Sequence, residues 1–220
     1  MDIHRVYRPF LKHFRKARIA LLYELFDIDA HTRVLDVGGS GEFWSVAESC
    51  GFPRPRVTVV NLYPPRGEER RFSWIIADGA RLPFRDNEFD LAISNSVIEH
   101  VSAFDVQLGF GREVLRSARN AFVQTPDFWC LIEPHFLAPA VHWMPPGLRA
   151  KVLPLTPWGL ITKPSQQYVK RVVEEIRLLT RAEVVRIFPD CVIIRERFCG
   201  LPKDLVAVRR VPGASPTASA

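Results

Sequence analysis

Between Val34 and Trp44 the chain reads VLDVGGSGEFW: an apolar run ends at an aspartate, and a cluster of glycines leads into a helical pattern. Glycine lets the backbone adopt unusual φ angles and approach a ligand closely. The helix start just beyond offers N–H groups that have no intrahelical partner. Together these features make a nucleoside-binding corner. The spacing is not the G-x-G-x-x-G of a dinucleotide site, and no G-K-[ST] follows as in a phosphate loop. A second set of residues could move a proton: Glu99-His100, and Glu133, His135 and His142 in a proline-rich stretch. Imidazole titrates nearest neutrality, so His100 and His135 are the candidate catalytic groups, with His142 assigned to structure. Glu133 and His135 are also metal-ligand types, but two groups do not define a site, and no metal is expected.

The elements that must position these residues follow from the apolar pattern. Residues 5–27 read as an amphipathic helix, with Phe10, Phe14, Leu21, Leu22 and Leu25 at helical spacing. Strands are predicted at 33–37, 57–60, 72–77, 89–94 and 121–124, and helices at 43–50 and 110–120. Strands alternating with helices imply a parallel sheet covered on both faces. Residues 126–165, rich in proline, tryptophan and histidine, break the rhythm and read as a lid-like insertion over the end of the sheet. Helices at 166–177 and 180–188 precede two closing strands, CVIIRERF and LVAVRR. The expected organisation is a basic helical segment over 1–32, one α/β domain over 33–210, and a disordered tail over 211–220.

Composition narrows the class. The 220 residues are 47% hydrophobic and 25% charged, a globular profile. No apolar run is long enough to span a bilayer, and the basic N-terminus lacks the apolar stretch of a secretory signal, so a cytoplasmic location is expected. The four cysteines form no C-x-x-C pair and read as free thiols. Most of the +6 net charge falls in the first eighteen residues, through Arg5, Arg8, Lys12, Arg15, Lys16 and Arg18. That face is expected to be solvated; it could also make peripheral contact with an anionic membrane surface. No nucleic-acid motif accompanies it, and no nucleic-acid partner is expected.

Three stretches in order, VLDVGGSGEFW, VTVVNL and ADGARLPFRDNEFDLAISNSVIEHV, resemble the class I S-adenosylmethionine-dependent methyltransferases. The branch they look like is the type 11 group related to ubiquinone and menaquinone biosynthesis. The resemblance implies a Rossmann-like, mostly parallel seven-stranded sheet with helices on both faces and a closing antiparallel strand. It also implies S-adenosylmethionine as cofactor. Asp36, Gly38, Gly39 and Ser40 would hold its methionine part, and Asn61 would face the ribose hydroxyls. Asp78 and Gly79 would meet the adenine, and Ser94 and Asn95 would lie near the sulfonium.

Two positions depart from the family pattern. Asn61 stands where an acid is usual, and a neutral amide has one acceptor oxygen where a carboxylate has two. Either cofactor affinity is lower for want of that acid, or Glu42 or another group compensates; Glu42 itself stands at the last expected glycine. For an oxygen or nitrogen acceptor a base removes a proton, which assigns His100 and His135 their role. The aromatics Phe128, Trp129, Phe136, Trp143 and Trp158 could line an acceptor pocket or simply anchor the insertion. The expected acceptor is a small molecule, a lipid-linked compound or a glycan, methylated at oxygen. The alternative is a non-catalytic domain that keeps the fold and binds the cofactor or a partner. A nicotinamide enzyme is disfavoured by the absent G-x-G-x-x-G. Amino methylation of nucleic acid is disfavoured because Ser94-Asn95-Ser96-Val97 stands where its N/D-P-P-Y/F motif belongs.

Overall fold

Strand follows helix along most of the chain because short β-branched runs alternate with amphipathic ones. The structure, a computed structural model, describes residues 4–101 and 103–212, with side chains from residue 14 onward except that of residue 68. In order come α1 (His4–Leu25), β1 (Arg33–Val37), α2 (Glu42–Ser49), β2 (Arg56–Asn61), β3 (Ser73–Ile76), β4 (Phe89–Asn95), α3 (Phe104–Ser117) and β5 (Ala118–Pro126). Then follow the short pair β6 (Ile132–Glu133) and β7 (Ala138–Pro139), with α4 (Pro146–Val152) and α5 (Pro157–Thr162). Next are α6 (Gln166–Glu175), α7 (Arg181–Ile187), β8 (Val192–Phe198) and β9 (Leu201–Arg209). The predicted tail lies outside the described residues from position 213 on, as do the side chains of Arg5, Arg8 and Lys12.

Seven strands form one sheet in the order β3-β2-β1-β4-β5-β9-β8. β1 to β5 run parallel, and β9 runs antiparallel to both β5 and β8. The reversing strand is therefore second from the edge. Strand order changes direction between β1 and β4, and the crevice beyond the carboxyl ends of strands at such a switch point is where ligands bind in open α/β sheets.

The strict alternation of β1 divides the core. Leu35 and Val37 face one layer with Val60, Ala92, Phe110, Val114, Val184 and Ile187. Val34 faces the other, with Ile19, Leu22, Phe43, Trp44, Val59 and Phe122. Asp36 shares Val34's face by the same period of two, which puts a carboxylate among apolar side chains.

Three boundaries differ from the sequence-based expectation. α3 begins at Phe104, ahead of the predicted 110, and ends at Ser117. Gly109 and Gly111 are poor helix formers that mask its start, and the packing of Phe110 and Val114 on the sheet overrides them. β5 spans Ala118–Pro126 where 121–124 was expected, because it pairs along its length with β4 on one side and β9 on the other. β9 starts at Leu201, so Pro202 lies within a strand instead of in the connecting turn.

The segment after β5 carries a small core of its own. Phe136, Val141, Leu153 and Trp158 are buried with Val169, Val172 and Val173 of α6. Trp129 and Trp143 are instead 54% and 43% exposed. The aromatics thus divide between anchoring the insertion and facing solvent. Among the described residues no helix is long and apolar enough to cross a membrane.

Candidate functional site

The first wall of the crevice is the turn after β1. Asp36 is 2% exposed, and Trp44 Nε1 donates to its Oδ2 at 2.9 Å. Burial pushes the Asp36 carboxyl up to about 7, opposed by the indole hydrogen bond. Gly38 sits at φ +78°, and its N–H donates to Val60 O at 2.7 Å, which pins the turn to β2. A Cβ on Gly39 would fall onto the Asp36 carboxylate, so this glycine lets the backbone fold directly over the buried acid. Ser40 is exposed beside it. Glu42, the first residue of α2, pairs with Arg15 at 2.6 Å, so its carboxylate is engaged by α1.

The second wall is built by β2 and β3. The Asn61 amide donates to Gly39 O at 2.9 Å and Gly38 O at 3.3 Å, and its oxygen accepts from Tyr63 N–H at 3.1 Å. Asn61 therefore braces the glycine turn in this structure. An ionised acid at this position would set like charge against two carbonyls, which gives the amide a physical reason. Asp78 is exposed, and its Oδ1 accepts from Ala80 N–H at 2.9 Å. Gly79 lies against the Phe110 ring and Val37, too close to accommodate a Cβ. Leu62, Tyr63 and Ile76 are 64%, 67% and 61% exposed at this end of the paired strands β2 and β3. Sequence reasoning missed these apolar groups; the signal was apolar residues continuing past a strand's end.

The third wall is the end of β4. Ser94 is fully buried, and its hydroxyl donates to Val37 O at 3.0 Å. It ties β4 to β1 beneath the crevice. Asn95 is half-buried, and its Oδ1 accepts from Arg18 Nη1 at 2.9 Å. Arg18 also pairs with Asp204 at 2.6 Å and Glu196 at 3.1 Å. This corrects the reading of the basic helix as a uniformly solvated face: Arg18 is 7% exposed and docks α1 to β4, β8 and β9. Its alignment with the apolar stripe of α1 was the available signal.

Beyond Asn95 the chain makes a 3-10 turn at Ile98–His100. Here the two candidate bases, far apart in sequence, come together. His100 Nε2 and His135 Nε2 are 3.2 Å apart, and His135 Nδ1 lies 2.6 Å from Glu133 Oε1. Glu133 is buried, and its second oxygen accepts from Phe136 N–H at 2.8 Å. Burial lowers His135, but the Glu133 hydrogen bond and the surrounding carboxylates outweigh it and hold the imidazole above its usual range. Desolvation and the neighbouring His135 push the exposed His100 down to about 4. Glu99 is wholly buried; its Oε2 accepts from Thr125 at 3.0 Å, and burial drives the carboxyl up to about 7. His142 stands apart, buried with Nε2 on Phe128 O at 2.9 Å, a structural bond within the insertion.

In neutral His135 the Nδ1–H donates to Glu133 Oε1, which leaves the Nε2 lone pair toward His100. The arrangement can pass a proton from His100 inward to His135 and balance the resulting charge with Glu133. It lies directly after β4, adjacent to the crevice bounded by the turns after β1, β2 and β3.

Residues 35–120 match the family model described as a methyltransferase domain. A tRNA (carboxymethyluridine(34)-5-O)-methyltransferase of Arabidopsis thaliana is 29% identical over 107 residues, 46% of this chain and 26% of that protein. An uncharacterized methyltransferase of Mycolicibacterium gilvum is 35% identical over 91 residues, covering 39% and 34% of the two chains. The chain thus spans about a quarter to a third of the curated relatives it matches. Magnesium protoporphyrin IX methyltransferase from Synechocystis, a structure with bound S-adenosylhomocysteine, superposes with a TM-score of 0.59 at 14% identity. That likeness covers 96% of this chain and 88% of the other. Residues 35–120 are thus similar to a methyltransferase domain, and the chain shares its fold with the S-adenosylhomocysteine-bound structure.

Proposed function

We propose that this protein transfers a methyl group from S-adenosylmethionine to an oxygen of a small-molecule, lipid or glycan acceptor. The observation that carries the reading is the chain Glu133–His135–His100, placed at the end of β4 beside the crevice. The residues present fit the cofactor. Asp36 offers a carboxylate beneath the glycine turn, Asp78 an exposed acceptor, and Leu62 and Ile76 an apolar surface for a ring.

The cofactor, when bound, supplies an activated methyl group. The protein aligns the acceptor, excludes water and removes a proton. In the proposed step, the acceptor O–H gives its proton to His100 Nδ1 as the oxygen–methyl bond forms. The His100 Nε2 proton moves to His135 Nε2, and Glu133 balances the imidazolium. His100 alone is a weak base; coupling to His135 makes it adequate. Exposure of His100 lets an acceptor reach it from outside. Ser94, Asn61 and Gly38 hold the crevice floor in place.

The experiment is incubation of the full chain with methyl-labelled cofactor and a panel of hydroxylated acceptors. Label transfer by the native chain, lost in His100→Ala and His135→Ala, supports the reading. Transfer unaffected by both substitutions contradicts the proton relay. The non-catalytic alternative is favoured by one feature, the commitment of Asn61 to the loop carbonyls. Any acceptor turnover removes it.

A further inference from the structure

The same imidazoles raise a question that methyl transfer does not answer. One ligand atom from each of Glu99, His100 and His135 lies within 4.8 Å of the others. The two Nε2 atoms are 3.2 Å apart. Two imidazole nitrogens bound to one tetrahedral zinc at about 2.0–2.1 Å stand about 3.4 Å from each other. Little movement would admit a cation between them.

Three further observations point the same way. Glu133 accepts from His135 Nδ1, the outer carboxylate that orients a metal-binding imidazole and fixes its free nitrogen. Glu99 Oε1 is buried with no hydrogen-bond partner, although Thr125 serves the other oxygen. A buried carboxylate oxygen without a donor is costly, and a cation would satisfy it. The Glu99 main chain is fixed as well, since its carbonyl accepts from Arg177 N–H at 2.8 Å. Sequence reasoning counted only Glu133 and His135 and expected no metal. The fold assigns Glu133 to the outer shell and brings in Glu99 and His100.

We propose that Glu99, His100 and His135 bind one first-row divalent cation of the zinc type. Imidazole suits such ions, and three protein ligands leave a fourth position open to water. The bound ion occupies both Nε2 lone pairs, so the cation and the proton relay exclude one another. Zinc therefore inhibits methyl transfer reversibly. The site itself stands whether or not the chain transfers methyl groups.

The test is titration of the metal-stripped full chain with Co2+, read by the visible ligand-field bands of a four- or five-coordinate ion, followed by displacement with Zn2+. One equivalent is expected. Affinity should fall at least about tenfold in Glu133→Gln, which keeps the three ligands and loses the orienting charge. The bands should vanish in His100→Ala, an exposed position whose loss leaves the fold intact. Absence of the bands in the native chain overturns the proposal. So does binding of equal strength in His100→Ala, which would place the ion elsewhere, for example on the exposed Cys50 or Cys199.

Discussion

His135 Nδ1 lies 2.6 Å from Glu133 Oε1, and this bond orients the imidazole that meets His100. Both partners come from the proline-rich segment after β5, while His100 follows β4, so residues distant in sequence complete the pair. Glu133→Gln should keep the shape and lose the charge. The expected result is a fall in kcat at the low end of the roughly 10²- to 10⁴-fold range for a general base. KM for the cofactor should not change, and steady-state kinetics separates the two.

Arg18 bridges Asn95, Asp204 and Glu196 from a nearly buried position. Removing one partner of a buried ion pair is destabilising, and here Lys203 still pairs with Asp204 and limits the loss. Arg18→Ala should therefore destabilise the chain by less than the roughly 3–5 kcal/mol of a fully orphaned charge, measured by urea denaturation. Arg15→Ala, at the more exposed pair with Glu42, should cost about 1 kcal/mol or less.

Asp36 gives a pH dependence with a definite sign. Its folded value is raised from 3.8 to about 7 by burial. The folded state therefore holds a proton that the unfolded state releases. This stabilisation is full below about pH 3.8 and is lost as pH rises through about 7. Relative to Asp36→Asn, the native chain should lose stability over that window, on the order of a few kcal/mol in all, and then level off. Denaturation midpoints of the two chains across pH check this.

A cationic ligand group above Asp36 favours the ionised carboxylate. Binding of S-adenosylhomocysteine near pH 6 should thus release protons. Calorimetry in buffers of different ionisation enthalpy measures that release, which should vanish in Asp36→Asn.

Gly39→Ala places a methyl group on the Asp36 carboxylate. The turn must shift, and cofactor affinity should drop at least about tenfold, the equivalent of about 1.4 kcal/mol. Calorimetric titration of the folded variant checks this. Gly147→Ala, where nothing lies near the added carbon, should leave affinity unchanged.

Much of this was legible in the residues. VLDVGGSGEFW placed β1, the turn and α2 within one residue, because the alternation of Val34, Leu35 and Val37 and the following glycines leave few alternatives. The roles of polar side chains were less legible. Ser94 and Asn61 occupy positions at strand ends that suggest ligand contact, yet their partners are backbone carbonyls from β1 and its turn. Those partners lie across the sheet and leave no trace in local pattern. The meeting of His100 with His135 depends on how a 3-10 turn and an insertion dock, which no periodicity encodes. Arg18 was misread because a charge on a helix is usually solvated; its acidic partners are more than 170 residues away.

The central claim is that the crevice at the ends of β1 to β4 binds the methyl donor. Calorimetric titration of the full chain with S-adenosylhomocysteine tests it most directly. One equivalent should bind in the micromolar range, with affinity sharply weakened in both Asp36→Ala and Asp78→Ala. No binding to the folded native chain, or binding indifferent to both substitutions, would contradict the account.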